Sequence, residues 1–398
     1  MIHRFSIENF YSIREEQVVD LALPRTTPAM ARFPASDADE DVRLPTVVAL
    51  FGANASGKTN VLRALAAAVD FAANSFNGAL DGRITSFQPF RAAGWWDRPT
   101  RIVVELDAAW PREAGARLFR YELVVMHGPG SRSGERVGRE HLSVRDGRRY
   151  RSIFRRDGGE IRCAPELGLR RNDPRLQTVR SNASVIATLA TYNHSFFKQV
   201  YDDVSLVERN IPGLTYVDHN EKGALRYLHD VSRARDNFVR ELRRLDLGLT
   251  GFDVTSGPNG LVATFEHQGL DAPVALAEES EGTRHFLAMF PALFFTLESG
   301  RPALLDEFDA SLHPLLVPEI LRWFHDPRRN ESKAQLFLTA HNPAILDDLE
   351  KEEALLVDKG PDGGSTVTRL RDFQSLRREP SLARKYLGGV FGAVPNVG

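Results

Sequence analysis

Cysteine is nearly absent from this chain: Cys163 is the single one among 398 residues. One thiol cannot form an internal disulfide, and it cannot supply the clustered thiolates of a structural zinc site. The composition therefore excludes a disulfide-stabilised secreted domain and favours a protein that folds in a reducing compartment. We expect a cytoplasmic location.

Long apolar runs and a strong excess of either charge are also missing. The longest apolar stretch, 286–297, is shorter than the roughly 20 residues that cross a bilayer. The first ten residues lack the layout of a signal peptide. A net charge of −2 gives no global attraction to nucleic acid or to a membrane surface. We expect a globular protein of one large or two ordinary domains, with no membrane partner.

What the sequence does contain is a glycine-rich turn between an apolar strand and a helix. Residues 52–59 read Gly-Ala-Asn-Ala-Ser-Gly-Lys-Thr, after the apolar run 46–51. This is the order of a P-loop, in which backbone amides and a helix dipole bind the phosphates of a nucleoside triphosphate. Lys58 is then expected at the β and γ phosphates, and the Thr59 hydroxyl at magnesium. Since no guanine-reading Asn-Lys-x-Asp pattern is present, we expect ATP and Mg²⁺ as cofactors.

An acidic pair ends a second apolar strand far along the chain, in Ala303-Leu-Leu-Asp-Glu. Asp306 is expected to hold the magnesium through its hydration shell. Glu307 is placed to orient or deprotonate the attacking water. Two carboxylates after an apolar run also occur in ordinary turns, so the pair indicates a metal site only together with the neighbouring motifs.

Three further motifs accompany the acidic pair. Residues 280–284, Ser-Glu-Gly-Thr-Arg, open a helix with apolar residues at helical spacing. Residues 309–314, Asp-Ala-Ser-Leu-His-Pro, follow the acidic strand, and the apolar run 335–341 ends in a histidine. Taken alone, His341 is an ordinary strand-end histidine. The order of the motifs along the chain is more specific than any one of them.

That order resembles the ABC-class ATPase heads of the RecF, SMC and OLD lineage, over residues 1–90 and 275–360. The resemblance implies that Ser280 and Gly282 form a signature that completes the nucleotide site of a second subunit. It also implies that Asp309 is the D-loop aspartate and His341 a switch histidine that senses the γ-phosphate. One departure is that the signature reads Ser-Glu-Gly-Thr rather than Ser-Gly-Gly-Gln.

The sequence and the resemblance together give four groups of candidate site residues. The catalytic candidates are Lys58, Glu307 and His341. The nucleotide-contacting candidates are Gly52, Asn54, Ser56, Gly57, Lys58, Thr59, Asn60, Ser280, Gly282 and Asp309. The metal ligands are Thr59, Asp306 and Gln88, although Gln88 before a proline is equally typical of a turn. Tyr11, Ser12 and Arg14 are candidates for contact with the base.

The expected fold class is α/β, a P-loop ABC-class ATPase head with an antiparallel β lobe and a helical insertion. The expected segments are an N-terminal part of the head (1–95), a basic antiparallel lobe (96–180), a helical insertion (181–250) and a C-terminal part of the head (251–398). An apolar stripe predicts one long helix over 222–245. Because it has no sustained heptads, we expect no coiled-coil arm.

The segment 111–180 is basic, with 17 arginines and no lysine against 9 acidic residues. Arg148, Arg149, Arg151, Arg155 and Arg156 lie on its predicted hairpins. Two interpretations stay open. The arginines contact the phosphate backbone of DNA or RNA, or they form an ordinary solvated strand face.

The sequence shows no nuclease or protease motif, and we expect no Toprim nuclease domain of the OLD type after the head. The head, the short insertion and the glycine-rich ending at 384–395 resemble the RloA and AbiL-type ATPases of bacterial anti-phage systems. This implies a homodimer or higher homo-oligomer that controls a separately encoded effector, nuclease-like or RloB-like. The alternative is a RecF-like ATPase of DNA repair or maintenance, whose basic hairpins hold DNA.

Overall fold

The structure is a computed structural model of the 398-residue chain. It describes all residues except 79–83, 85, 129–134, 212–213, 215–220, 246–247, 259, 311, 313–315, 374–380 and 394–398. Within the described ranges, none of the helices combines the length and the hydropathy that a transmembrane span requires.

The chain alternates between strands and helices. The strands are β1 (Ile2–Glu8), β2 (Gln17–Asp20), β3 (Val47–Phe51), β4 (Thr100–Ala108), β5 (Arg117–Met126), β6 (Arg136–Asp146), β7 (Arg149–Asp157), β8 (Glu160–Cys163), β9 (Glu208–Arg209), β10 (Leu249–Gly257), β11 (Gly260–His267), β12 (Val274–Ala275), β13 (Ala303–Leu305), β14 (Leu336–Thr339), β15 (Ala354–Lys359) and β16 (Ser365–Arg369). The helices are α1 (Lys58–Asn74), α2 (Pro174–Gln177), α3 (Val185–Thr191), α4 (Ser195–Ser205), α5 (Glu221–Asp230), α6 (Ser232–Arg244), α7 (Glu281–Ser299), α8 (Leu316–His325) and α9 (Leu382–Leu387).

Two large sheets organise the molecule. One is antiparallel, in the order β2-β1-β4-β5-β6-β7-β8, so the N-terminal hairpin belongs to the same sheet as the segment 100–163. The other has the order β16-β15-β3-β14-β13-β9, and its strands β15, β3, β14, β13 and β9 run parallel. A small antiparallel sheet, β10-β11-β12, lies beside them. The expected α/β fold class, with an antiparallel β lobe, is confirmed.

The parallel sheet is buried on both faces. Along β3, Val48 and Leu50 belong to one hydrophobic core, while Val47, Ala49 and Phe51 belong to the other. The first core lies against the antiparallel sheet and helices α1, α3 and α4; the second lies against α5 to α8 and the small sheet. Side chains of successive strand residues point to opposite faces, so a run of apolar residues is what such a strand requires.

The predicted long helix over 222–245 is wrong: the structure has two helices, α5 and α6, which meet at Val231. Val231 has φ −112° and ψ 88°, outside the helical region, and its amide still donates to the Tyr227 carbonyl. The break changes the direction of the chain, so that α5 packs mainly on α7 while α6 packs mainly on β10 and also reaches α7 through Phe238. Tertiary packing therefore overrides a stripe that reads as continuous in the sequence.

Arg156 also departs from the expectation of an exposed basic hairpin. Its side chain is 2% exposed, and its guanidinium donates to the carbonyls of Gly158 (2.8 Å), Ala183 (2.7 Å) and Arg180 (2.9 Å). Buried Glu140 lies close to it; burial raises the pKa of this carboxyl, against the hydrogen bond from Ser184 and the charge of Arg156. A buried cation needs hydrogen-bond acceptors and a counter-charge. Arg156 finds them on the sheet and in the residues just before α3, so its side chain connects these two parts of the fold.

We expect Arg156→Ala to lower the free energy of unfolding by about 3 kcal/mol or more, because it leaves buried acceptors and a buried acid without their cation. The matched control is Arg148→Ala, at an exposed turn residue of the β6–β7 hairpin, which should change stability by no more than about 0.5 kcal/mol. Urea denaturation followed by circular dichroism measures both. Equal stabilities for the two variants would contradict the structural role of Arg156.

Candidate nucleotide-binding site

The parallel sheet brings three of the sequence motifs to one edge. Strand β14 lies between β3 and β13, and all three are parallel. The glycine-rich loop after Phe51, the histidine segment after Thr339 and the acidic pair after Leu305 therefore leave the sheet at the same end. Ligands of open α/β sheets bind outside the carboxyl ends of the strands.

Two glycines shape the loop between β3 and α1. Gly52 has φ 156° and Gly57 has φ 110°. A Cβ at Gly57 would lie 2.3 Å from Ser365 Oγ and 2.6 Å from Ser12 Oγ, so this position accepts no side chain. The loop therefore stays close to the strand behind it, and the first amides of α1, which have no intrahelical acceptor, lie at its mouth.

Lys58 lies folded inside the loop. Its Nζ donates to the carbonyls of Gly52 (2.9 Å) and Ala53 (3.2 Å), and the residue is buried. Burial lowers the pKa of Lys58, and the negative charges of Asp306, Asp309 and Glu307 oppose that shift. The single ammonium of the loop thus lies in the field of all three downstream carboxylates.

The carboxylate of Asp306 connects the two halves of the chain. Its Oδ1 accepts from Thr59 Oγ1 at 3.0 Å and from Thr339 Oγ1 at 2.6 Å. Thr59 lies in the first turn of α1, and Thr339 ends β14. The predicted metal ligands Thr59 and Asp306 are therefore brought into direct contact although 247 residues separate them.

Asn210, which the sequence reasoning missed, holds the backbone of Asp306. Its Oδ1 accepts from the Asp306 amide at 2.6 Å, and its Nδ2 donates to the Asp306 carbonyl at 3.0 Å. Asn210 follows the two-residue edge strand β9, which pairs with β13. No local pattern in the sequence signals this role, because only the pairing of distant strands places Asn210 beside Asp306.

Glu307, Asp309 and His341 lie together beyond Asp306. The Glu307 amide donates to Thr339 Oγ1 at 2.8 Å, and its exposed carboxylate lies 3.9 Å from His341 Nε2. The carboxylate of Asp309 accepts from the amides of His341 (3.0 Å) and Asn342 (2.7 Å). Glu307 has φ 49°, a left-handed conformation that a non-glycine residue adopts at some cost and that is frequent at functional sites.

The remaining loop residues divide into exposed and tethered groups. Asn54 is exposed at the crest of the loop, while Ser56 is buried. Asn60 Nδ2 donates to Ser12 Oγ at 2.8 Å, and Ser12 Oγ lies 2.7 Å from Ser365 Oγ, which donates to the Ser56 carbonyl at 2.5 Å. Asn60 thus ties α1 to the N-terminal hairpin; its contact with nucleotide stays a prediction.

The candidates for base contact lie in the same hairpin. Tyr11 has φ 51°, and the guanidinium of Arg63, on α1, lies 4.9 Å from the centre of its ring. Arg14 pairs with Asp362 at 2.7 Å. The Gln88 carbonyl accepts from the Tyr11 amide at 2.7 Å, which places the predicted metal-contacting glutamine beside this hairpin. Its role as a metal ligand stays a prediction.

The signature residues lie at the start of α7. Ser280 caps this helix, since its Oγ accepts from the Thr283 amide at 3.1 Å, and the helix begins at Glu281. Ser280 is exposed, and Arg284 pairs with Glu221 of α5 at 2.6 Å. Within the described ranges, no hydrogen bond or ion pair joins Ser280 or Gly282 to the loop 52–59 of the same chain. Of the run 309–314, residues 311 and 313–314 lie outside the described residues.

The residues at this edge fit a magnesium-bound triphosphate. Ser56 Oγ is buried and has no hydrogen-bond partner among the described residues. At Gly52 and Gly57 the loop has no Cβ atom. Hydroxyl and carboxylate oxygens, here of Thr59 and Asp306, are the ligands that Mg²⁺ prefers. One ammonium and a helix N-terminus complete an anion-binding set.

One family model matches the part of the chain that carries the acidic strand. Residues 166–347, a little under half of the chain, match the family model described as "AAA domain, putative AbiEii toxin, Type IV TA system". That range includes Asn210, the signature, the acidic pair and His341, but not the glycine-rich loop. No curated protein matches the chain.

Several solved structures are similar to this chain, all at low identity. The SMC head domain from Thermotoga maritima has 15% identity and a TM-score of 0.43, covering 92% of this chain and 98% of that one. An SmcHead bound to the C-winged helix domain of ScpA has 14% identity and a TM-score of 0.44, covering 92% and 96%. The third is an Smc head domain with an extended coiled coil, bound to the C-terminal domain of ScpA derived from Pyrococcus furiosus. It has 13% identity and a TM-score of 0.42, and the match covers 98% of this chain and 99% of that one.

We expect Asn210→Ala to weaken Mg²⁺-dependent nucleotide binding by about tenfold or more, because partners that orient a metal-site residue typically contribute that much. Binding of a fluorescent ATP analogue, titrated with Mg²⁺ and again with EDTA, measures the effect. The control is Asn237→Ala, whose partly exposed amide bonds within its own helix, to the Arg233 carbonyl and to the Arg240 guanidinium. If the Mg²⁺-dependent affinity of the two variants is the same, Asn210 does not position Asp306.

Proposed function

We propose that this chain binds Mg–ATP at the loop 52–59 and hydrolyses it, and that the nucleotide state switches the association of two copies. The observation that supports this most directly is the hydrogen bond between Thr59 and Asp306, which joins the phosphate-binding loop to the acidic strand. The two residues that would share a magnesium ion are already in contact.

In the proposed reaction, a water oxygen bonds to the γ-phosphorus while the bond to the β–γ bridging oxygen breaks. Glu307 is the group that accepts the proton of the water, since its carboxylate is exposed at the edge and its backbone is held by Thr339. Magnesium, when bound, neutralises charge that develops on the phosphate oxygens. Lys58 exchanges its two loop carbonyls for phosphate oxygens, and ADP and phosphate are the products.

A second copy completes the proposed site. Ser280 and Gly282 lie at the exposed N-terminus of a 19-residue helix, where backbone amides and the helix dipole favour an anion. Because these residues make no direct contact with the loop of their own chain within the described ranges, a γ-phosphate held by one copy would meet the signature of the other. His341, 3.9 Å from Glu307, would then report the loss of that phosphate.

The proposed cellular role is a nucleotide switch that controls a separately encoded effector, nuclease-like or RloB-like, in bacterial anti-phage defence. Support comes from the sequence resemblance and from the family model, whose description includes a putative toxin of a toxin–antitoxin system. The described residues contain no group of three or more His, Cys, Asp or Glu side chains that could form a metal-dependent effector site. An ATPase of this kind acts on a partner through its conformational states.

The alternative role is a RecF-like ATPase that binds DNA directly, and one observation favours it. On the outer face of the antiparallel sheet, Arg120, Arg139 and Arg155 lie near His141. Burial lowers the pKa of this histidine, the charge of Glu122 opposes the shift, and the three arginines add to it. Two of these arginines are partly neutralised, however: Arg139 and Arg155 share Asp157, at 2.9 and 2.6 Å.

We expect Glu307→Gln to lower ATP turnover by about two orders of magnitude or more and to accumulate an ATP-bound dimer, because the base is lost while binding is kept. Lys58→Ala should abolish both turnover and dimer formation. Phosphate release and light scattering with and without ATP measure the two effects. Glu331→Gln, an exposed carboxylate in the loop after α8, is the control. Unchanged turnover in both site variants would show that the site is wrongly assigned.

We expect Glu307→Gln protein, tagged and purified from its native host with ATP, to retain one stoichiometric protein partner, identified by mass spectrometry. Retention of DNA without a protein partner would contradict the switch role and favour the RecF-like role. In that case DNA should stimulate turnover with a steep salt dependence, and Arg139→Ala with Arg155→Ala should reduce that stimulation.

A further inference from the structure

A partly open, largely apolar space lies beside the helix and one of the strands that carry the candidate site. A cavity of about 230 Å³ lies between α1, the antiparallel sheet, α4 and the start of β13. Its α1 wall is Leu65, Ala68, Val69 and Ala72, which share one helical stripe. Protein interiors contain few voids larger than a water molecule. A largely apolar cavity of about 150 Å³ is enough to bind benzene, so this one has room for a small organic molecule.

The cavity has one polar corner with an unused donor. Arg301 lines it and pairs with Asp203, which also accepts from Trp110 Nε1 at 2.7 Å. Arg301 Nε is buried and has no hydrogen-bond partner among the described residues. Arg112 lies 3.7 Å from the same Asp203, so two guanidinium groups face one carboxylate.

The other acid at the wall does not offset this surplus positive charge. Asp107 Oδ1 is held by His3 Nε2 at 2.5 Å and by Ser36 Oγ at 3.0 Å. Its Oδ2 has no hydrogen-bond partner among the described residues, but the N-terminal ammonium lies 3.7 Å from it, so the charge of Asp107 is offset within its own cluster. The Arg301 corner thus combines a buried donor without an acceptor and one unbalanced positive charge. Both are satisfied by a carboxylate.

We propose that this cavity is a regulatory site for a small carboxylic acid with an apolar body of roughly eight carbons or one aromatic ring. The body lies against the stripe of α1, and the carboxylate accepts from Arg301. This inference concerns regulation of the proposed ATPase, but binding of the acid itself does not depend on ATP.

The walls of the cavity explain how the acid would act on the site. Three wall residues belong to segments that meet at Asp306: Leu65 on α1, Leu304 on β13 and Val207 just before β9. In the same segments, Thr59 donates to the Asp306 carboxylate, and Asn210 holds its backbone. A molecule between α1 and β13 therefore changes the separation of the two elements that share Asp306, and with it the affinity for Mg–ATP.

Octanoate is the probe for the test, and calorimetric titration of the nucleotide-free protein is the measurement. We expect saturable binding of octanoate to the wild-type chain and binding at least about tenfold weaker for octylamine, whose ammonium is repelled by the surplus positive charge. Ala68→Leu, which fills the cavity, should abolish binding. Arg301→Gln should weaken it about tenfold, the loss expected for a charged hydrogen bond.

A matched substitution on the same helix distinguishes the effect of filling the cavity from a general loss of stability. Ala67 is buried in the core but does not line the cavity. Ala67→Leu should lower the melting temperature by roughly 2–5 °C through overpacking, whereas Ala68→Leu should leave it unchanged or raise it. No octanoate binding to the wild-type chain, or equal binding to Ala68→Leu, would overturn the proposed site.

The coupling is tested in a second step. Saturating octanoate should change the affinity of the wild-type chain for an Mg–ATP analogue at least threefold, the scale of a modest allosteric coupling. It should have no effect on Ala68→Leu. Binding of octanoate without any change in nucleotide affinity would overturn the regulatory part alone. Loss of ATP binding in every variant, with octanoate binding intact, would contradict the proposed ATPase and not the cavity site.

Discussion

The carboxylate of Asp306 is the point on which the candidate site depends. It accepts hydrogen bonds from the first turn of α1 and from the end of β14, while Asn210 holds its peptide group from the far edge of the sheet. Three segments that are distant in sequence are thus fixed relative to one carboxylate. A charged group in a partly buried position needs such partners, because an unpaired carboxylate would carry a large desolvation cost.

The central sheet makes this convergence possible. Its alternating side chains fill two separate cores, so the strands β3, β14 and β13 are held from both faces. Parallel strands fixed in this way present their carboxyl ends in a constant register. The network of Glu307, Asp309 and His341 then stands on a rigid base, although Glu307 itself is exposed. Rigid support beneath an exposed carboxylate is what the proposed catalytic role of Glu307 requires.

Backbone strain lies at the same edge. Ala55 in the glycine-rich loop, Glu307 after β13 and Tyr11 in the N-terminal hairpin all have positive φ values, of 62°, 49° and 51°. Each belongs to a segment that either forms the site or packs directly against it. Strained residues of this kind persist only where the surrounding structure holds them, and they are frequent at functional sites. The same helix α1 that borders this strained edge also borders the cavity, so the site and the cavity share one element.

The sequence alone determined the motifs and their chemistry. The loop 52–59, the acidic pair Asp306 and Glu307, and the helix opening at Ser280 are local patterns, because glycine conformation, capping and apolar periodicity act over a few residues. The α/β class followed from the same local signals. What only the tertiary structure decided depends on contacts between distant segments: the break at Val231, the burial of Arg156, the clamp by Asn210 and the cavity beside α1. Each of these arises from packing that no short stretch of sequence encodes, since the free energy of burying a side chain depends on which distant residues pack against it.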